Sequence, residues 1–150
     1  MEMDHRQPGG CIVNYWLFKT EPGTWSWDDQ KKKGKVGEGW DGVRNYQATN
    51  NMKAMKLGDR GFFYHSVKEK RVVGIVEVIK EYYPDHTDEK GRFGMVKVMA
   101  IEDMPEPVTL ADVKAEPKLA EMPLVKNTRL SVQPVSAAHW KIVCKMGGLK

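Results

Sequence analysis

Cysteine is scarce in this sequence. Cys11 and Cys144 are the only two among 150 residues, and they form no Cys-x-x-Cys or Cys/His spacing. This argues against a zinc module or a disulfide scaffold and favours a reducing compartment, for which we predict the cytoplasm. No apolar run approaches the roughly 20 residues that a membrane span needs, so we expect no membrane partner. The opening MEMDHRQPGG lacks the apolar stretch of a secretory signal, and we expect residues 1–11 to form a disordered leader.

Signatures of catalysis and of cofactor binding are also lacking. Gly37, Gly39 and Gly42 fit the pattern GxGxxG, but no strand precedes them, and the phosphate loop GxxxxGK[ST] is absent. His65 and Ser66 are adjacent in a predicted strand, so they point to opposite faces and cannot act as base and nucleophile. The four histidines show no metal-ligand spacing. We therefore expect no enzyme activity, no cofactor and no metal.

The composition is that of one ordinary globular domain. Hydrophobic residues make up 41% of the chain and charged residues 29%. At this length a compact fold buries roughly 68 to 70% of the surface of the unfolded chain, so a real core forms without disulfides. We predict a single domain over residues 12–150, and we expect a monomer.

The charge is unevenly distributed along the chain. The total is +4, but residues 19–80 carry 13 basic and 8 acidic groups, residues 81–126 carry 6 and 10, and residues 127–150 carry 4 and none. The two basic segments are thus net +5 and +4, and they flank a segment of net −4. If the fold joins the basic segments, one face would attract a polyanion; the alternative is solvated charge spread over the whole surface.

Turn signals separate β-rich runs from short helices. Strands are predicted over residues 12–18, 62–66, 72–79, 95–101 and 130–135, with Pro134 restricting the last to a sheet edge or a bulge. Helices are predicted after the N-caps Ser26, Asn45 and Ser136, and a fourth within residues 105–114 with Thr109 as its cap. The pattern predicts a mixed α/β (α+β) fold with an antiparallel meander or a small barrel.

Aromatic and hydrogen-bonding side chains are concentrated in the first half of the chain. Aromatic rings stack on nucleobases, amides and carboxylates read base edges, and Lys or Arg binds phosphate, so this mixture suits recognition better than catalysis. The alternative is that the rings fill the core. We favour that alternative for Trp25 and Trp140, but not for Trp40, which lies in a glycine-rich loop.

A succession of short motifs makes the chain recognisable. In order they are YWLFKTEP (15–22), WSW (25–27), WDGVRNYQ (40–47), GD (58–59), FFYHS (62–66), VGIVEV (73–78), YPD (83–85), PVTL (107–110) and RLSVQPV (129–135). Over residues 14–148 this succession resembles the EVE domain family. The resemblance implies a PUA-like fold, in which short helices flank a small β-barrel, and a superfamily shared with YTH, ASCH and PUA domains.

The resemblance also implies a function. It suggests a non-enzymatic reader of a modified base, such as 5-methylcytosine or N6-methyladenine, in DNA or RNA, with the base flipped into an aromatic and polar pocket. The alternatives are an enzyme or accessory factor acting on a nucleotide or RNA, and a small-molecule-binding module that uses the same pocket.

Residues of the matching motifs are the candidates for this pocket. Trp40 is the first candidate for the stacking ring and Trp27 the second. Asn45, Glu21 and Ser66 are candidate edge readers, and the lysines of residues 31–35, with Lys53, could hold phosphate. The full predicted set comprises Lys19, Thr20, Glu21, Trp27, Trp40, Val43, Arg44, Asn45, Tyr46, Tyr64, His65, Ser66, Arg129 and Ser131.

Overall fold

The computed structural model describes residues 13–149, so the predicted leader and Cys11 lie outside the described residues. The strands are β1 Tyr15–Thr20, β2 Glu38–Gly39, β3 Arg60–His65, β4 Arg71–Pro84, β5 Gly94–Thr109 and β6 Val132–Val135. The α-helices are α1 Trp27–Lys32, α2 Tyr46–Ala54, α3 Leu110–Ala115, α4 Pro123–Lys126 and α5 Ala137–Met146. Two short 3₁₀ turns, Gly34–Val36 and Pro117–Leu119, complete the described elements.

The strands form one sheet in the order β2-β5-β4-β3-β1-β6. β1 and β3 pair in parallel, with Tyr15 opposite Arg60 and Thr20 opposite His65, and the other pairs are antiparallel. The predicted α+β class is therefore confirmed. The sheet is not closed, because among the described residues β2 and β6 remain its two edges rather than pairing into a complete barrel.

The two faces of the sheet carry separate cores. Along β1, Trp16 and Phe18 point into a cluster with Trp40 and Met52, because alternate residues of a strand face opposite sides. Leu17, between them, points into a second cluster, which includes residues of α3, α4 and α5. The loop that carries Trp40 and the helix α2 therefore cover one face, and the C-terminal helices cover the other.

The predicted helix starts are confirmed in detail. Ser26 and Thr109 each form a capping box, and Ser136 accepts a hydrogen bond from the N–H of His139. The helix predicted within residues 105–114 begins directly after its predicted cap, Thr109. Residues up to Thr109 extend β5, where Val108 lies opposite Val72, and only then does α3 begin. The first strand also lies later than predicted, so that Lys19 and Thr20 form its C-terminal end.

Two further features of residues 13–149 bear on function. None of the helices is both long and apolar enough to cross a membrane. In the same residues, no group of three or more His, Cys, Asp or Glu side chains is arranged to hold a metal ion.

Candidate functional site

A cavity of about 390 Å³ opens at the C-terminal end of β1. Its volume lies within the range of small-ligand sites. The chain segments that line it are the turn after β1, the loop from β2 to α2, and the residue before β6. The lining residues are Lys19, Thr20, Thr24, Trp25, Glu38, Gly39, Trp40, Asp41, Gly42, Val43, Arg44 and Ser131.

Two tryptophans contribute to the cavity wall. Trp40 is only 7% exposed, and its ring packs edge-on against Phe18 and Phe63, with centroids 5.1 and 5.6 Å away. Trp25 is half-buried, packs against the same core and donates from Nε1 to Gln30 Oε1 at 3.0 Å. Trp40 is therefore a core residue as well as a wall residue, and Trp25, which we had expected in the core alone, also lines the cavity.

The loop of Trp40 is fixed at both ends. Trp40 donates its N–H to Val96 O at 2.7 Å, and Asp85 accepts hydrogen bonds from Gly42 N–H at 2.8 Å and from Arg44 at 3.1 Å. Gly42 has a φ of 78°, which favours glycine. At the far end, Asn45 caps α2 by accepting from Ala48 N–H at 2.9 Å. The backbone of this wall is therefore held in place before any ligand arrives.

The pKa of Asp85 reflects this anchoring. Burial of the carboxylate raises its pKa, but hydrogen bonds from Thr87, Gly42 and Arg44 outweigh burial and lower it to about 2. Thr87 donates both its N–H and its hydroxyl, at 2.7 and 2.6 Å. Asp85 is thus a charged anchor under the loop and not a titrating group at neutral pH.

The pKa of Asp41 is shifted in the opposite direction, above its ordinary value. Burial raises the pKa of this cavity-lining carboxyl, and the nearby charge of Asp85 raises it further, although His86 and Arg44 act against this. A carboxylate can accept a hydrogen bond from an exocyclic amino group of a base. Asp41 is therefore a cavity carboxyl whose pKa lies above its ordinary value.

Lys19 connects the cavity to the C-terminal segment. Its Nζ donates to Thr128 O at 2.7 Å and its N–H to Ser131 O at 2.9 Å, and burial lowers the pKa of its amine. The two basic segments thus meet at residues 19 and 128–131, next to exposed Arg129. They do not share a face throughout, because Lys141 and Lys145 belong to α5, which packs on the other face of the sheet.

Eight of the fourteen predicted site residues do not line the cavity, and three of these eight are held inside the fold. Trp27 packs against Gly74, where a Cβ would overlap its ring, and donates from Nε1 to Asp103 at 2.6 Å. His65 accepts from Trp27 N–H at 3.0 Å and contacts Glu69 Oε1 through Nδ1 at 2.9 Å. Because Nε2 is an acceptor, Nδ1 carries the proton, so His65 is a satisfied core histidine. Tyr64 is buried beneath the Lys19 ammonium, and burial raises its pKa to about 12.

Other predicted residues lie near the cavity without lining it. Glu21 is exposed, and its carbonyl accepts from the N–H groups of Thr24 and Trp25. Tyr46 is 62% exposed and packs on Phe93. Ser66 donates its N–H to Thr20 O at 2.8 Å.

The predicted phosphate-binding lysines are partly engaged within the protein. Lys31 forms ion pairs with Asp103 and Asp28 at 3.0 and 3.6 Å. Lys33 lies 3.5 Å from Glu38, and the Lys53 ammonium sits over Tyr82. These contacts reduce the net positive charge that this cluster offers to a partner.

Sequence reasoning missed Thr24, Trp25, Glu38, Gly39, Asp41 and Gly42 as lining residues. Asp41 and Gly42 lie inside the motif WDGVRNYQ, and Asp85 lies inside YPD, so the motifs did contain the signal. What the sequence could not show is that these two motifs meet through the hydrogen bonds of Asp85.

Comparison with known proteins identifies the family. The model of the EVE domain matches residues 14–146. The crystal structure of protein Atu2648 from Agrobacterium tumefaciens is 57% identical, covers 91% of this chain and 94% of that chain, and has a TM-score of 0.89. Human THYN1, in a crystal structure in complex with DNA that contains 5-methylcytosine, is 34% identical with a TM-score of 0.85, over 92% of this chain and 99% of that chain. Mouse thymocyte nuclear protein 1 is 33% identical in an alignment that covers 97% of this chain and 79% of that protein. The chain belongs to the EVE domain family.

Proposed function

We propose that this protein binds DNA carrying a modified cytosine and holds that base, turned out of its strand, in the cavity beside β1. The observation that carries the proposal is the combination in one cavity of two tryptophans, a titratable carboxyl and a half-buried lysine. The complex of human THYN1 with 5-methylcytosine DNA supports the choice of DNA and of the base.

Each component of the cavity matches a need of base recognition. Trp40 and Trp25 offer aromatic surface, and stacking on an aromatic side chain is worth about 1 to 3 kcal/mol per base. Asp41 can accept a hydrogen bond from the amino group of cytosine. Val43, buried beside Trp40 in the same core, adds apolar surface that suits a methyl group.

The energy balance favours a rigid pocket. Turning a base out of a duplex costs a few kcal/mol, so stacking and edge contacts must offset that cost. The hydrogen bonds that Gly42 and Arg44 donate to Asp85 already hold the loop in place, and therefore little loop ordering is needed on binding.

The proposal is for binding without catalysis. His65, the histidine considered for a catalytic role, has Nε2 and Nδ1 engaged with Trp27 and Glu69. Glu21 is exposed and does not line the cavity. The residues that do line it suit stacking, hydrogen bonding and charge contacts better than proton transfer paired with a nucleophile.

The test is a binding titration with matched oligonucleotides at one stated salt concentration. Duplexes and single strands of one sequence carry either cytosine or 5-methylcytosine at one central position, and an RNA with N6-methyladenine forms a separate arm. We expect tighter binding to 5-methylcytosine DNA, with quenching of tryptophan fluorescence. Equal affinity for modified and unmodified DNA would contradict base reading and leave only backbone affinity. Preference for the RNA would contradict the choice of DNA.

A further inference from the structure

The turn between β3 and β4 presents a strained, exposed valine. Val67 has a φ of 69°, in the left-handed region that a β-branched residue rarely adopts, and it is 56% exposed. Lys70, three residues later, has a φ of 50°. Two such residues in one short turn store backbone strain, and strain of this kind is concentrated at functional sites.

This turn begins at the rim of the cavity. Ser66, the residue before Val67, donates its N–H to Thr20 O at 2.8 Å. Thr20 lines the cavity and donates its hydroxyl to the carbonyl of Trp25, which lines it too. Val67 therefore directly follows a residue that is hydrogen-bonded to the cavity wall.

The turn is braced by side chains and backbone. Glu69 Oε1 lies 2.9 Å from Nδ1 of His65 and 3.1 Å from Nε of Arg71, and thereby ties the turn to both strands. The carbonyl of Lys70 accepts from Leu110 N–H at 2.8 Å. Val67 is consequently presented on a fixed support, although its own side chain points into solvent.

The surroundings of Val67 are basic. Lys68, Lys70 and Arg71 follow it, and the one acidic residue of the turn, Glu69, is engaged with His65 and Arg71. An apolar tip flanked by cations suits nucleic acid, where phosphates meet the cations and an apolar side chain can enter between stacked bases.

We propose that Val67 is a wedge that enters the DNA duplex beside the base held in the cavity and fills the space that this base leaves. The inference rests on the proposed function, and it adds that the protein acts on double-stranded DNA. An apolar wedge compensates for lost stacking in a duplex, whereas a single strand has no such gap to fill. Val67 should therefore contribute to duplex binding alone.

Two substitutions test the wedge while leaving the turn intact. V67G removes the side chain and suits the observed φ, and V67N keeps a side chain that tolerates this conformation but is polar. The probes are one 5-methylcytosine oligonucleotide as a duplex and as a single strand. We expect both variants to lose about tenfold in duplex affinity, and to change single-strand affinity by less than about twofold. Thermal unfolding confirms that the variants are folded.

Leu57 provides the matched control. It is an exposed apolar residue, 55% accessible, before the opposite end of β3, so L57A should leave both affinities unchanged. A second control, V36A, alters a valine that is 75% exposed, in the 3₁₀ turn before β2.

The outcomes separate this inference from the proposed function. If the parent protein prefers the 5-methylcytosine duplex but V67G and V67N bind it as tightly, the wedge is wrong and base reading stands. If V36A loses duplex affinity and the Val67 variants do not, the wedge lies in the turn Gly34–Val36 and our assignment is wrong. A parent protein that binds only single strands also overturns the wedge. If the parent does not distinguish modified from unmodified DNA in either form, the proposed function itself fails.

Discussion

The carboxylate of Asp85 lies beneath the backbone of Gly42 and accepts its N–H at 2.8 Å. The two residues are 43 positions apart, and this bond joins the turn after β4 to the loop that forms the cavity wall. Arg44 completes the arrangement, with one nitrogen on Asp85 and another on Thr87. The shape of the cavity therefore depends on a carboxylate that does not line it.

Replacing Asp85 with Asn should destabilise the protein and make it less sensitive to acid. The folded-state pKa of Asp85, about 2, lies below the ordinary value of 3.8. A depressed pKa adds stability that is fully present above about pH 4 and is lost as the pH falls toward 2, and the shift corresponds to about 2 kcal/mol. Urea unfolding at pH 7, 4 and 3 should show a less stable D85N protein with a flatter pH dependence.

A control for Asp85 is available on the far face of the sheet. Glu121 is an exposed carboxylate that pairs with Lys126 at 3.3 Å. E121Q should unfold like the parent protein at each pH, because exposed ion pairs contribute little. If D85N matches E121Q, the anchoring role of Asp85 is refuted.

A substitution that tests stacking by Trp40 must keep the apolar bulk of its side chain. Because the ring is buried against Phe18 and Phe63, truncation to Ala would cost about 3 to 5 kcal/mol of stability and obscure any effect on binding. W40L keeps apolar bulk and removes the aromatic face. We expect W40L to bind the modified DNA about tenfold more weakly, measured at a temperature where it is folded.

Trp140 is the matched control for that substitution. It stacks between Tyr15 and Phe62 in the core on the other face of the sheet, with centroids 4.4 and 4.0 Å away. W140L should be destabilised as well, yet the folded protein should bind normally. A similar loss of affinity in both variants would show that stability, rather than stacking, governs the result.

The sequence predicted local structure well because the local signals are strong. Ser26, Thr109 and Ser136 cap helices as expected, since their oxygens satisfy N–H groups two or three residues away. The continuation of β5 through residues 105–109 was not predicted, because it depends on pairing with β4, as of Val108 with Val72, which is distant in sequence. Whether the sheet closes depends on pairing of its edges, which no local pattern encodes.

The candidate site was predicted only in part, for a similar reason. The motifs that contain Lys19, Thr20, Trp40, Val43, Arg44 and Ser131 do meet at the cavity. Trp27 and His65 belong to equally distinctive motifs, yet they bond to each other and to Asp103 and Glu69 inside the fold. Residue type alone does not distinguish an aromatic ring that lines a cavity from one that packs over Gly74.

Asp41 should make DNA binding dependent on pH. Burial and the charge of Asp85 raise its pKa, and the carboxylate form is the one that accepts a hydrogen bond from the cytosine amino group. Protons therefore compete with the base, and affinity should fall as the pH drops from 7.5 through the raised pKa. D41N should bind more weakly at pH 7.5 and show a flatter profile.

The control for Asp41 is Asp28, an exposed carboxylate on α1 that does not line the cavity. Between pH 7.5 and 4.5, the DNA affinity of D28N should change with pH as steeply as that of the parent protein. A slope that persists in D41N would assign the titration to another group and contradict the role of Asp41.

His65 should prove to be a structural residue. H65A leaves the buried N–H of Trp27 without its acceptor, and an unsatisfied buried donor costs about 1 to 3 kcal/mol. Chemical denaturation should show this loss, whereas H86A, at an exposed histidine, should not. Because His65 does not line the cavity, the ratio of affinities for modified and unmodified single strands should stay constant in H65A, and a changed ratio would contradict this assignment.

Arg129 should contribute through phosphate rather than through the base. It is exposed and lies two residues before Ser131, which lines the cavity, next to the Thr128 carbonyl that holds Lys19. A side chain that neutralises one phosphate of a duplex adds about 0.9 to the slope of log K against log salt. R129Q should therefore weaken binding to modified and unmodified duplexes equally and reduce the slope by about 0.9. K118Q, in the turn Pro117–Leu119 on the other face, should leave the slope unchanged. If R129Q weakens the modified duplex alone, Arg129 acts on the base and the division between phosphate and base contacts is wrong.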